Sequence, residues 1–309
     1  MKGGSEVRSA RSIWIGSLAA IVLCWLSAVS PSLATATAGY ANPQLLIDTE
    51  TLVNHLAETG LRVVDIRTPE EYASGHIPGA VHLAWQALDD LKANQQGLPI
   101  PQARAEELFG GLGIGEGTRV VAYDGPKTPF GAARLFFVLE FFGHDKVQVL
   151  NGGFLKWARE GRRISTEVPT PPKAAFVARP RPELLATAED VRSRLGNPKV
   201  CLLDARSAKE YTGEDLWALR GGRIPGAVNV DYLNTMRKDD HTFKSAEELR
   251  KIFEAAGVTP ERETITYCHA GARAAHDYFA LRLLGYQKLK NYDGSWAEWG
   301  NSETLPIEE

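Results

Sequence analysis

The chain has 309 residues, 44% apolar and 24% charged, with 29 Gly and 17 Pro. At roughly 100–200 residues per domain this is two domains' worth of sequence with real cores, which excludes collagen, coiled coil and intrinsic disorder. A formal charge of −3 leaves no electrostatic footprint for nucleic acid or an anionic membrane surface, so any substrate is bound locally.

Residues 1–38 read as a targeting segment. Lys2, Arg8 and Arg11 make a basic start, an apolar run covers 13–29, and Ala34-Thr35-Ala36-Thr37-Ala38 is a small-residue cleavage region. Export to the periplasm or another compartment outside the cytosol is expected, as a signal peptide that is removed. The alternative is an uncleaved anchor, since the run approaches the ~17–25 residues that span a bilayer, and that anchor is the only membrane contact expected. Three cysteines, Cys24, Cys201 and Cys268, are too few and too scattered for a disulfide framework or a thiolate metal cage. Cys24 leaves with the leader if it is cut.

Beyond the leader, the patterning predicts a helix over 49–56 with Asp48 as its N-cap, a strand over 61–66 and a helix over 103–109. A strand over 120–123, a helix over 130–142 and a strand over 146–150 follow. The glycine-rich run 110–117 lies after a helix and before a strand, the reverse of a dinucleotide-binding loop, so it reads as a helix C-cap and turn. Pro169, Pro171, Pro172, Pro180 and Pro182 then mark 166–182 as an extended linker. Past it, Thr187 is an N-cap candidate, strands are expected over 200–203, 264–267 and 287–290, and helices over 246–256 and 274–284.

The second series repeats the first. Asp65-Ile66-Arg67, with Glu71 and Tyr72, returns as Asp204-Ala205-Arg206, with Glu210 and Tyr211; Ile77-Pro78-Gly79-Ala80-Val81 returns as Ile224-Pro225-Gly226-Ala227-Val228 after eight additional residues. That insert carries Glu214, Trp217 and Arg220, the last read as a solvated loop arginine. Gly143 and Trp157 match Gly285 and Trp299 at one offset of 142. Two tandem domains, 39–165 and 183–309, are therefore expected, each a mainly parallel α/β sheet with helices on both faces. In such sheets ligands bind beyond the carboxyl ends of strands.

One such loop is chemically distinctive. Cys268-His269-Ala270-Gly271-Ala272-Arg273 follows a β-branched strand and opens a helix, where backbone N–H groups are free and the positive end of the dipole favours a thiolate. Small side chains at Ala270, Gly271 and Ala272 let the loop curl, and Arg273 adds a positive charge. The competing reading is a buried strand-end cysteine packed as a small hydrophobe. Cys201, inside an apolar run, is read as core, with a Cys201–Cys268 disulfide left open. The seven histidines show no metal-ligand spacing, so no metal is expected.

At these residues the chain resembles the tandem-domain rhodaneses, the thiosulfate and 3-mercaptopyruvate sulfurtransferases. The Asp-x-Arg and Glu-Tyr element, the Ile-Pro-Gly-Ala element, the six-residue loop opened by Cys268 and the stretch Tyr292-Asp293-Gly294-Ser295-Trp296 carry the likeness. The resemblance implies an amino-terminal domain without the catalytic cysteine, since Asp124 stands in its place. It also implies a ping-pong transfer without cofactor, in which Cys268 takes sulfane sulfur from a small anionic donor as a persulfide and passes it to cyanide or a thiol. Arg206 matches the family's substrate-contacting arginine, with a structural salt bridge to Asp204 or Glu210 as the alternative. His269, Ala270, Gly271, Ala272 and Arg273 would bind the donor, His269 and Arg273 as polar groups able to carry positive charge. Thiosulfate is the expected donor and 3-mercaptopyruvate the alternative. Two further rivals are a Cys-dependent phosphatase or arsenate reductase, whose loop needs five residues between Cys and Arg where this one has four, and a non-catalytic sulfur carrier.

Overall fold

The computed structural model describes residues 39–89 and 99–309; the leader expected at 1–38 lies outside them. In the first half β1 (Leu46–Ile47), α1 (Thr49–His55), β2 (Leu61–Asp65), α2 (Pro69–Ser74) and β3 (Val81–His82) are followed by α3 (Gln102–Gly111) and β4 (Arg119–Tyr123). The half closes with α4 (Gly131–Phe141), β5 (Val147–Leu150) and α5 (Gly153–Arg159). The second runs α6 (Ala188–Ser193), β6 (Val200–Asp204), α7 (Ala208–Thr212), β7 (Val228–Asn229) and α8 (Ala246–Ala255), then β8 (Glu263–Tyr267), α9 (Ala272–Leu283), β9 (Leu289–Asn291) and α10 (Ser295–Trp299).

Two parallel sheets result, ordered β1-β5-β4-β2-β3 and β7-β6-β8-β9. In the second, Leu185 bridges in parallel to Asn291, the place that β1 holds in the first. The central strands are buried on both faces: every residue of β6 and all of β4 after Arg119 are out of solvent. This is why they read as continuous apolar runs rather than alternating ones.

The caps behave as their chemistry dictates. Asp48 accepts from the Thr51 N–H at 2.7 Å, and Thr187 pairs reciprocally with Asp190 in a capping box. Further boxes open α2 (Thr68 with Glu71), α7 (Ser207 with Glu210) and α8 (Ser245 with Glu248). The short elements α2, α5, α7, α10, β1, β3 and β7 are additions to the expected list, because each is too short for a hydrophobic period to register.

The two sheets share a core. Helix α4 is buried along its whole length, and it packs against α9 through Phe136 on Phe279 and Phe137 on Tyr278, ring centroids 4.8 and 5.1 Å apart. Glu140 on α4 accepts from the Tyr278 hydroxyl (2.8 Å) and from Arg282 (2.6 Å) across the same seam. The proline-rich stretch carries no helix or strand from 166 to 181. It packs along the first domain, with Phe176 against Phe109 at 5.0 Å and the Arg179 N–H on the Phe142 carbonyl. Among the described residues, no helix is long and apolar enough to cross a membrane.

Candidate active site

Strand β8 ends at Tyr267, and Cys268 is the next residue, followed by a tight loop into α9. Gly271 caps that helix in the left-handed region (φ 77°), where a Cβ would also overlap the Asp293 carboxylate. Ser295 fixes the loop: its Oγ accepts the N–H of Cys268 at 3.0 Å and of Gly271 at 3.1 Å, and donates to the Tyr292 carbonyl at 2.7 Å. The Trp296 and Ala297 N–H groups bind the carbonyls of Cys268 and His269. To do this Ser295 adopts φ 50°, one of two such non-glycine residues among those described. A strained backbone of that kind persists only where its surroundings enforce it. With two N–H groups taken by Ser295, those of His269, Ala270, Arg273 and Ala274 are left without an acceptor among the described residues.

Cys268 is only 1% exposed, yet it forms part of the wall of a cavity of about 290 Å³. Its neighbours there are His269, Ala270, Ala272 and Arg273 from the loop and helix, Trp85 and Phe130 from the first domain, and Trp217 from the eight-residue insert. Gly271 stands behind the wall, its N–H and carbonyl tied to Ser295 and Asn291. Trp85 meets Phe130 edge to face at 5.4 Å, and Trp217 meets the His269 ring at 5.7 Å. Three aromatic side chains, Trp85, Phe130 and Trp217, thus line the cavity.

Charge differs from the sequence expectation. Arg273 forks onto Glu210 with two hydrogen bonds of 2.7 Å, so its charge is matched by a carboxylate that is itself 4% exposed. Burial pushes the Glu210 carboxyl up, but the hydrogen bonds and charge of Arg273, with Ser207, outweigh it and bring the pKa to about 2. Burial, with Arg273 beside it, lowers the His269 imidazole below its ordinary 6.5, so of its two forms the ring takes the neutral one at pH 7. Its Nδ1 is buried without a hydrogen-bond partner among the described residues.

Arg206, matched above to a substrate contact, makes the salt bridge to Asp204 that was the alternative reading. Its Nη2 and Nε bond Asp204 at 2.6 and 2.9 Å, Nη2 also reaches the Gly222 carbonyl, and the guanidinium covers the Trp296 ring at 4.5 Å. It is 1% exposed and not part of the cavity wall. Arg67 repeats every one of these contacts with Asp65, Gly75 and Phe154, so the arrangement is common to both domains. Arg220 is not a solvated loop arginine: it donates to the carbonyls of Trp299 and Leu305 and pins the insert. Cys201 sits in β6 within the core, where burial raises its thiol pKa, and both cysteines are free thiols. Among the described residues no group of His, Cys, Asp and Glu side chains could hold a metal.

The sequence reading missed Trp85, Phe130 and Trp217 as cavity walls, Glu210 as the partner of Arg273, and Ser295 as the loop's clamp. Only Ser295 had a local signal, because the repeat sets Asp293-Gly294-Ser295-Trp296 against Asn151-Gly152-Gly153-Phe154.

Parallel sheets paired in one chain, with a cysteine loop opening the central helix of the second, define the class, and the family comparison agrees. Rhodanese-like domains match residues 48–160 and 187–302, and the chain belongs to the rhodanese family. Its relatives include the sulfur carrier protein TtuD of Thermus thermophilus, 39% identical over 287 residues, 87% of this chain and 98% of that protein. A thiosulfate sulfurtransferase of Azotobacter vinelandii is 33% identical over 269 residues, 87% of this chain and 98% of the relative. Among solved structures, the anaerobic ergothioneine biosynthesis enzyme of Chlorobium limicola bound to trimethyl histidine superposes with a TM-score of 0.77 at 27% identity, covering 87% of this chain and 71% of that one. Sulfur transfer is the activity that this membership supports.

Proposed function

We propose that the protein moves sulfane sulfur from thiosulfate to cyanide or a thiol through a persulfide on Cys268. The observation that carries this reading is the Cys268 sulfur-bearing residue in the wall of a cavity, on a loop whose remaining N–H groups lack acceptors. The Cys268 thiolate attacks the outer sulfur of thiosulfate; the sulfur–sulfur bond of the donor breaks and sulfite leaves with its electron pair. An acceptor anion then attacks that outer sulfur, and the Cys268 thiolate is the leaving group. Each stage is anionic, so unpaired N–H donors at a helix N-terminus stabilise all of them. The aromatic lining favours a thiol with an apolar body as acceptor, and neutral His269 is suited to take its proton.

In this reading residues 183–309 carry the catalytic thiol, 39–165 lack one but lend Trp85 and Phe130 to the cavity wall, 166–182 join them, and the leader 1–38 directs export. The alternative donor, 3-mercaptopyruvate, would use the same thiol. The likeness to TtuD favours a second reading, a carrier that holds the persulfide for a protein acceptor.

Incubation with thiosulfate should add one sulfur, about 32 Da, to Cys268 alone, and cyanide should remove it. Cys268→Ser should take up none. Sulfur found on Cys201 would sink the assignment. Multiple turnovers with thiosulfate and cyanide separate a transferase from a carrier.

A further inference from the structure

The first domain reaches the cysteine loop through one buried guanidinium. Arg134, on α4 and 1% exposed, donates from Nη1 and Nη2 to the two carboxylate oxygens of Asp293 at 2.5 and 2.7 Å. Its Nε and Nη2 also bind Asp89 Oδ1, at 3.2 and 2.8 Å. Asp293 follows β9 in the second domain. Its Oδ1 accepts from the Asn291 amide at 2.7 Å, and that amide also donates to the Gly271 carbonyl at 3.2 Å. Two residues beyond Asp293 stands Ser295, the clamp on the Cys268 and Gly271 N–H groups. Every link from Arg134 to the loop is a buried hydrogen bond or a covalent neighbour.

The internal repeat supplies a comparison. At the offset of 142, Arg134 corresponds to His276 and Asp293 to Asn151. His276 bonds Thr235 at 2.9 Å and stacks on Phe243, while Asn151 accepts the Phe243 N–H. Among the described residues no ion pair ties the second domain to the Asp124 loop in this way. Among the described residues the buried pair is thus found on the side of the Cys268 loop and not on that of Asp124.

We propose that Arg134 is a positioning residue for sulfur transfer: it fixes Asp293, and through Asn291 and Ser295 the loop that presents Cys268 to the donor. This rests on the reading of Cys268 as the sulfur-carrying thiol. Buried ion pairs gain little net stability over apolar packing, so a role in geometry accounts for this one better than a role in holding the fold. Small displacements of a reacting group are costly in rate.

The full chain serves for the test, with Asp293→Asn and Arg134→Lys set against Glu140→Gln. Glu140 crosses the same seam, on Tyr278 and Arg282, but touches nothing in the loop. Asp293→Asn should slow persulfide formation from thiosulfate about tenfold or more, and Arg134→Lys should fall between it and the parent. Glu140→Gln should lower the melting temperature comparably and change that rate less than about twofold. Equal rate losses in Glu140→Gln and Asp293→Asn, or a parental rate in Asp293→Asn, overturn the proposal. If the Arg134 variant does not fold, Asp293→Asn decides. If the parent protein takes up no sulfur, the proposed function fails, and the ratio of Cys268 alkylation rates by iodoacetate and iodoacetamide then decides for Arg134: altered in Asp293→Asn it stands, unaltered it falls.

Discussion

Tyr123 and Tyr267 end equivalent strands, and each hydroxyl accepts the N–H of an equivalent isoleucine, Ile77 or Ile224. Beyond them the two domains part. In the first, the Asp124 side chain turns back and accepts the Ala132 N–H at 3.1 Å. Gly153 faces it, and a Cβ there would come within 2.7 Å of the Asp124 carbonyl oxygen and 2.9 Å of its carboxylate. In the second, the corresponding residue is Ser295, whose hydroxyl holds the loop N–H groups from outside. The first loop supplies its own acceptor, whereas the second leaves N–H groups without one among the described residues.

That contrast can be broken most sharply at Ser295. Ser295→Ala strands two buried N–H groups at about 1–3 kcal/mol, and kcat/KM for thiosulfate should drop roughly 5- to 100-fold while Cys268 stays in place. Parental kinetics would mean that the clamp has no bearing on transfer.

Glu210 comes next. Its pKa of about 2, against an ordinary 4.5, means that its stabilisation is complete above pH 4.5 and is lost as pH falls toward 2. Glu210→Gln should therefore cost on the order of 3 kcal/mol at neutral pH, a deficit that shrinks as the parent is acidified. It should also release Arg273 toward the cavity and lower the KM for thiosulfate about threefold. Denaturant melts between pH 3 and 7, with steady-state kinetics, check both; an unchanged or raised KM would show that Arg273 does not meet the donor.

Asp124 gives the smallest effect on turnover. Burial raises its carboxyl to about 7, against the bond from the Ala132 N–H. The folded form then keeps a proton that the unfolded chain releases above an ordinary 3.8, so this group's contribution is present at low pH and is lost as pH rises toward 7. Asp124→Asn should flatten the decline of the melting temperature over that window and leave turnover within about twofold. A steeper decline would reverse the assignment of the first loop as a self-filled site.

The alternation of strand and helix was legible because buried parallel strands leave unbroken apolar runs, and the Cys268 loop because its chemistry is local. What escaped was assembled from afar. Glu210 lies 63 residues from Arg273, and Ser295 lies 27 from Cys268. Trp85 and Phe130 reach the cavity from the other domain. The same distance explains the false picture of charge: a sequence shows His269 and Arg273 as basic residues, whereas burial of one and pairing of the other emerge only on folding. Arg206 shows the converse, since a motif shared with Arg67 marks architecture as readily as chemistry.

The phenylalanine seam between α4 and α9 also bears on how such a duplication endures. Each half keeps the other's aromatic face dry, so removing the first half would leave Tyr278 and Phe279 uncovered on the helix that follows the Cys268 loop. One copy thus serves as a wall of its sibling's interior.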